Sequence, residues 1–194
     1  MHKETQSWER TSEYNVGLDF GFLNQRISGN IEYYNRTTND LLMKRNIPVH
    51  LGYSSVTSNV GSVRNSGFEL QLNTANIMTK NFAWNTTINL AYNKNEIVSL
   101  ADEEDLSNYS IHLQGMRGRY SDKRFIGKPV DTNWTQNTIG VWQLGEEEEA
   151  AKYGCVPGNF KIKDYNNDGK LTDDDYIIDG KRTPDWTGGM TNMF

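Results

Sequence analysis

The chain has 194 residues, with 20 Lys and Arg against 25 Asp and Glu for a formal charge of −5, and its mean hydropathy is polar. No stretch approaches the roughly 18 consecutive apolar residues of a membrane helix, and neither half carries the basic stripe of a nucleic-acid binder. Cys155 is the only cysteine, which excludes a disulfide framework and a cysteine-based metal site.

The first six residues, Met1 to Gln6, are hydrophilic and offer no apolar core for a secretion signal. The protein is therefore expected either to stay inside the cell or to be an internal piece of a longer chain. Residues 1–100 carry 9 positive and 8 negative charges, and residues 101–194 carry 11 and 17. The acidic excess thus belongs to the second half, in Glu146 to Glu149 and Asp164 to Asp185.

In Tyr14 to Phe22, Val16, Leu18, Phe20 and Phe22 alternate with Asn15, Gly17, Asp19 and Gly21. Because side chains alternate faces along a strand, this predicts a half-apolar strand. Leu23 to Arg26 form a short break before Ile27 to Asn35, and together the two strands read as a hairpin. Arg36 to Ser58 is less periodic, with Pro48 and Gly52 as breakers. Within it, Asp40 to Met43 is expected to extend the preceding strand system. Gly67 to Asn73 alternates again, and residues 75–81 lead into Phe82 to Asn93, the clearest pattern in the chain. There Phe82, Trp84, Thr86, Ile88, Leu90 and Tyr92 share one face, while Ala83, Asn85, Thr87, Asn89, Ala91 and Asn93 share the other. Aromatics at both ends of an aliphatic face suit a strand crossing a bilayer between two aromatic girdles. The same alternation would serve a soluble β-sandwich, with a core face and a wet face.

The connections discriminate between these readings. They run short (23–26), long (36–58), short (75–81), then very long from residue 94. In an antiparallel sheet the short ones share one end and the long ones the other, as in an outer-membrane barrel. After Asn93 the chain is loop-like, with a short helix predicted over Glu146 to Tyr153. Gly188 to Phe194 reads as the start of a further strand. The predicted fold is all-β: an incomplete antiparallel transmembrane β-barrel segment with long extracellular loops and a short helix. Residues 1–93 hold barrel strands and hairpins, 94–187 a long extracellular loop region, and 188–194 a further barrel strand.

One segment carries chemistry. Residues 164–175 match a twelve-residue calcium loop, with Asp164, Asn166 and Asp168 at positions 1, 3 and 5 and Gly169 at the sharp turn. The Lys170 carbonyl falls at position 7, Thr172 at 9, and Asp175 at 12 in place of the longer glutamate. Thr172 and Asp175 also have the spacing of a capping box. The expected cofactor is a structural Ca2+; the alternative is a solvated acidic turn without an ion. Trp134, Trp142, Tyr120 and Tyr153 could offer sugar-stacking faces, although loop aromatics more often pack the loop. His2, His50 and His112 are isolated, no nucleophile elbow or phosphate-binding glycine loop occurs, and no enzyme activity is expected.

Several stretches, in order, resemble SusC/RagA-like TonB-linked outer membrane proteins. They are Trp8-Glu9 with Asn15 to Phe20, Tyr34 with Thr38 to Leu42, and Asn59 to Glu69. Trp84 with Asn89 to Asn95, Pro157-Gly158, Asp164 to Gly169 and Pro184 to Trp186 follow. The resemblance implies a plugged barrel of about 22 strands in the bacterial outer membrane, bathed by its lipid. Such a barrel imports oligosaccharides or peptides with a SusD-like surface lipoprotein and is energised by the TonB complex through an N-terminal region missing here. The chain is then a barrel fragment. The alternative is a soluble calcium-binding β-sandwich module recognising carbohydrate or protein.

Overall fold

The computed structural model describes residues 7–46, 55–59 and 61–194. The hydrophilic start, Pro48, Gly52, His2 and His50 lie outside them. The chain divides into two compact units, one of residues 1–101 with 183–194, the other of residues 102–182.

The first unit is built on one antiparallel sheet. Its strands are β1 (Arg10–Phe22) and β2 (Ile27–Asn39), then β5 (Gly61–Met78), β6 (Ala83–Leu100) and β14 (Trp186–Met193), in the order β1-β2-β5-β6-β14. Between β2 and β5, β3 (Leu42–Asn46) and β4 (Ser55–Asn59) form their own two-stranded ladder. The expected extension of β2 through Asp40 to Met43 is therefore corrected. Asp40 takes a left-handed φ of 56°, which breaks the strand and lets the chain restart with a new partner.

The strands are longer than their apolar alternation. β5 starts six residues before Gly67, and β6 runs on to Leu100, seven past Asn93. Those extensions, Gly61 to Ser66 and Lys94 to Leu100, are mostly polar, so they carry no period-2 signal. Backbone pairing holds them instead, from Gly61 opposite Leu100 to Ser66 opposite Lys94.

Register aligns the faces across all five strands. Val16, Tyr33, Phe68, Tyr92 and Trp186 stand in one row, Leu18, Ile31, Leu70, Leu90 and Gly188 in the next, and Phe20, Gly29, Leu72, Ile88 and Met190 in the third. The first row is an aromatic belt: the Phe68, Tyr92 and Trp186 rings lie 4.9–5.8 Å apart. At the other end Trp84 stacks on Phe194 at 5.8 Å. Eight residues separate Tyr92 from Trp84, a span of about 27 Å along the strand and about 20 Å along a bilayer normal at barrel tilt. This apolar face is open, with Val16 and Leu18 69% and 64% exposed. A sandwich would bury it under a second sheet.

The second unit contains several short ladders. β7 (Glu104–Asp105), β8 (Arg117–Arg119) and β9 (Arg124–Phe125) make one, β10 (Thr132–Gln136) pairs with β13 (Tyr176–Lys181), and β11 (Thr138–Val141) pairs with β12 (Phe160–Ile162). The predicted helix is present as α1 (Glu147–Lys152). Leu106, Leu113 and Phe125 are fully buried, with Tyr109, Met116, Tyr120, Trp134 and Ile178 packed around them.

Candidate functional site

Two features are built to do something: the polar face of the sheet and the oxygen-rich loop. On the polar face, Asn15, Tyr34, Gly67 and Asn93 form one row. The Tyr34 ring lies across Gly67, and its hydroxyl donates to Asn93 Oδ1 at 3.0 Å. An added Cβ at Gly67 would meet the Tyr92 carbonyl oxygen and sit 2.8 Å from the Tyr34 hydroxyl, so only glycine leaves room for this bridge. The next row places Glu32 directly opposite Glu69, with Gly17 and Ala91 on either side. Further along, Asn95 Nδ2 donates to Asn65 Oδ1 at 2.8 Å, and Thr87 Oγ1 to Asn73 Oδ1 at 2.9 Å. Arg36 pairs with Glu13 at 2.9 Å. This face offers hydroxyl, amide and carboxylate groups to water-borne polar molecules. Alternation foretold its polarity, but the Glu32–Glu69 and Tyr34–Asn93 juxtapositions needed the register.

In the loop, Asp164 accepts the backbone N–H groups of Asn167 and Gly169 at 2.6 and 2.9 Å. Asn167 and Gly169 take left-handed φ values of 56° and 76°, which wraps the chain around that carboxylate. Asn166 Oδ1 accepts from the Asp168 N–H at 3.1 Å, and Asp168 Oδ1 from the Lys170 N–H at 2.8 Å. Asp175 is fully buried and clasps both ends of the loop, accepting the Tyr165 and Thr172 N–H groups at 2.8 Å each. Thr172 caps the 3-10 turn Asp173–Asp175 by accepting the Asp174 N–H, so the capping box is present with aspartate at its end.

Among the described residues no group of three or more His, Cys, Asp or Glu side chains converges on one point. The donor set nevertheless suits a hard cation. Every side-chain donor is oxygen, and a carboxylate oxygen that accepts one N–H keeps a second lone pair.

The loop is tied to its surroundings. Tyr153, which follows α1, donates its hydroxyl to Asp164 Oδ2 at 3.3 Å, and burial together with that carboxylate raises its pKa. Asn137 Nδ2 donates to the Tyr165 hydroxyl at 2.9 Å. Tyr120 donates to Asp173 Oδ2 at 2.7 Å; burial, and then that bond, hold its phenol protonated well above the ordinary range. Trp142 is 5% exposed and stacks on Tyr153 at 6.0 Å, with Lys161 Nζ 4.2 Å from its ring centre. Trp134 packs between Phe125 and Tyr176, at 5.4 and 5.8 Å. These aromatics pack the unit. Trp134 borders a groove of about 660 Å³, lined also by Lys123, Arg124, Asp179 and Arg182.

A model of the family described as TonB dependent receptor-like, beta-barrel, matches residues 6–188. TonB-dependent receptor P26 of Formosa agariphila is 32% identical over 188 residues, covering 96% of this chain and 19% of that relative. TonB-dependent receptor SusC of Bacteroides thetaiotaomicron is 34% identical over 190 residues, covering 97% of this chain and 18% of SusC. Among solved structures, one described as the RagAB peptide transporter superposes with a TM-score of 0.60 at 26% identity, covering 94% of this chain and 19% of that one. The chain therefore spans about a fifth of the length of these relatives, and its sheet is a section of an unclosed barrel. These are outer membrane proteins, and their family is one of receptors and transporters rather than enzymes. The soluble-module reading is not favoured. With its apolar rows outside, its polar rows inside and its sequence matched along nearly its whole length, this chain belongs to the TonB-dependent receptor β-barrel family.

Proposed function

We propose that these residues form part of the wall, and one large extracellular loop, of an importer for oligosaccharides or peptides. The importer works with a SusD-like surface lipoprotein and is driven by the TonB complex through a region N-terminal to this chain. The observation that carries the reading is the register: three rows of apolar side chains, interrupted only by Gly29 and Gly188, on one face back onto rows of amides, hydroxyls and carboxylates on the other. The apolar rows meet lipid, and the polar rows meet hydrated cargo. Leu23 to Arg26 and Thr79 to Phe82 join strands at one end of the sheet; residues 40–60 and 101–185 join them at the other. By the usual asymmetry of these barrels, the long connections face outside.

Deletion of the gene, with growth followed on panels of oligosaccharides and of peptides as sole nutrient, tests the transport reading. Loss of growth on one class, restored by the intact gene, is expected; unimpaired growth and unchanged uptake on both panels refute it. Pull-down of the intact receptor should bring a surface lipoprotein with it.

Within the loop, Asp164, Asn166, Asp168, the Lys170 carbonyl, Thr172 and Asp175 would hold Ca2+. Bound there, the ion would offset the charge of the three carboxylates and order the segment. An affinity on the order of 10⁻⁴–10⁻³ M is expected, as in extracellular modules. Calorimetry on the intact receptor in detergent checks this: Asp168→Ala should abolish the calcium heat, and a folded wild-type receptor that is silent at millimolar calcium refutes the site.

A further inference from the structure

At the short-turn end of the sheet the apolar face changes character. Beyond the row of Phe20, Gly29, Leu72, Ile88 and Met190 comes a row of Phe22, Ile27, Thr74, Thr86 and Asn192, and then the Trp84–Phe194 stack. Three hydrogen-bonding residues thus stand on the lipid side, inside the aromatic pair. A bulge adds a fourth. The β5–β6 register slips between Ala75 and Ile77, and the extra residue, Asn76, sets its amide among them. Bulges re-aim side chains in this way.

Asn76 Nδ2 donates to Thr86 Oγ1 at 2.6 Å, and Asn76 Oδ1 accepts from Thr74 Oγ1 at 3.0 Å. Thr86 Oγ1 in turn donates to Asn192 Oδ1 at 2.7 Å, and Trp84 Nε1 donates to the same oxygen at 3.1 Å. Indole N–H is a donor only, so Trp84 fixes the orientation of the Asn192 amide. Its oxygen is used twice, and its NH₂ is left without a partner among the described residues. The surplus of this cluster is donors.

Charge at the same rim has one sign. The segments that build it, residues 20–29, 72–88 and 190–194, contain Arg26 and Lys80 and no Asp or Glu. Arg26 is fixed beside the bulge, its Nη2 donating to the Ala75 and Asn76 carbonyls at 3.1 Å each. Two cations, spare amide donors and exposed Ile77 and Phe82 alongside make a site that is polar at its head and apolar at its flank.

We propose that the Asn76 bulge, Asn192, Arg26 and Lys80 form a headgroup site for a glycerophospholipid of the leaflet that meets the short turns. The phosphate oxygens would take the donors and cations, and the acyl chains would lie on the neighbouring apolar rows. Interfacial depth and charge complementarity together select this occupant.

Native mass spectrometry of the intact receptor in detergent, titrated with phosphatidylglycerol, tests it. Asn192→Asp keeps the oxygen that Trp84 and Thr86 need but replaces the donor with an anion; Lys80→Glu reverses charge on an exposed turn. Each should weaken lipid retention at least fivefold, while heat-modifiable migration on gels shows the barrel intact. Wild-type retention by both variants overturns the proposal. Equal retention of diacylglycerol, which lacks phosphate, also overturns it, because the apolar belt alone would then suffice. Displacement of the lipid by millimolar inorganic phosphate would assign the site to a free anion and overturn the lipid as occupant.

Discussion

Replacing Gly67 by alanine tests whether the Tyr34–Gly67–Asn93 bridge holds the wall. The new Cβ would press on the Tyr92 carbonyl oxygen, a backbone atom of the paired strand, and lie 2.8 Å from the Tyr34 hydroxyl and 3.0 Å from its Cζ. Neither neighbour can withdraw freely: the carbonyl belongs to the β5–β6 ladder, and the Tyr34 ring is anchored on Asn93. Overpacking of this kind costs about 1–3 kcal/mol, and loss of the Tyr34–Asn93 hydrogen bond adds about 0.5–1.5 kcal/mol. Both effects act through the Tyr34 ring and are coupled rather than additive; the expected destabilisation is about 2–4 kcal/mol. The assay is urea unfolding of the intact receptor in detergent, followed by its heat-modifiable gel shift. Gly17→Ala is the control. Its nearest neighbour is the Glu32 side chain at 3.4 Å, which can rotate away, so the cost should stay within about 0.5 kcal/mol. Tyr34→Phe should cost only the hydrogen-bond share. If Gly67→Ala unfolds at the wild-type midpoint, or if Gly17→Ala costs as much, the bridge is not the constraint.

Two further predictions concern the second unit. Asp175→Ala leaves the Tyr165 and Thr172 N–H groups unpaired at a buried site, at a cost of about 3 kcal/mol. Hydrogen exchange over residues 163–176 should quicken by about two orders of magnitude even without calcium, and unchanged protection would deny Asp175 its clasping role. Acid should loosen the segment around α1. The Gln143 N–H and the Lys161 ammonium hold the Glu146 carboxyl below its ordinary pKa of 4.5. A lowered folded-state value contributes stability that is present above 4.5 and is lost as pH falls through the lower folded value. Exchange protection in residues 141–161 should therefore hold from pH 7 to about 5 and decline below 4.5; a decline confined to pH above 6 would contradict the assignment.

Much of the architecture was legible because a membrane wall writes its two environments into alternate residues. The pattern of Phe82 to Asn93 named β6 and its faces, and Val16 to Phe22 did the same for β1. Glu147 to Glu149 and Lys152 marked α1 through acids at its start and a base at its end, and Thr172 with Asp175 marked a capping box that the structure contains. Gly61 to Ser66 and Lys94 to Leu100 were missed as strand because they lack alternation. Asp40 to Met43 was assigned to the wrong ladder because one left-handed residue redirected the chain.

By itself the sequence determined which residues face oil and which face water, since that depends only on chemical type and on the period of two along each strand. Tertiary structure decided what stands beside what. Glu32 opposite Glu69, Tyr34 reaching over Gly67 to Asn93, and Asn76 joining Thr86 and Asn192 all follow from inter-strand register and one bulge. Register joins segments up to about a hundred residues apart; the local period of two excludes one-residue slips but does not choose among the even shifts.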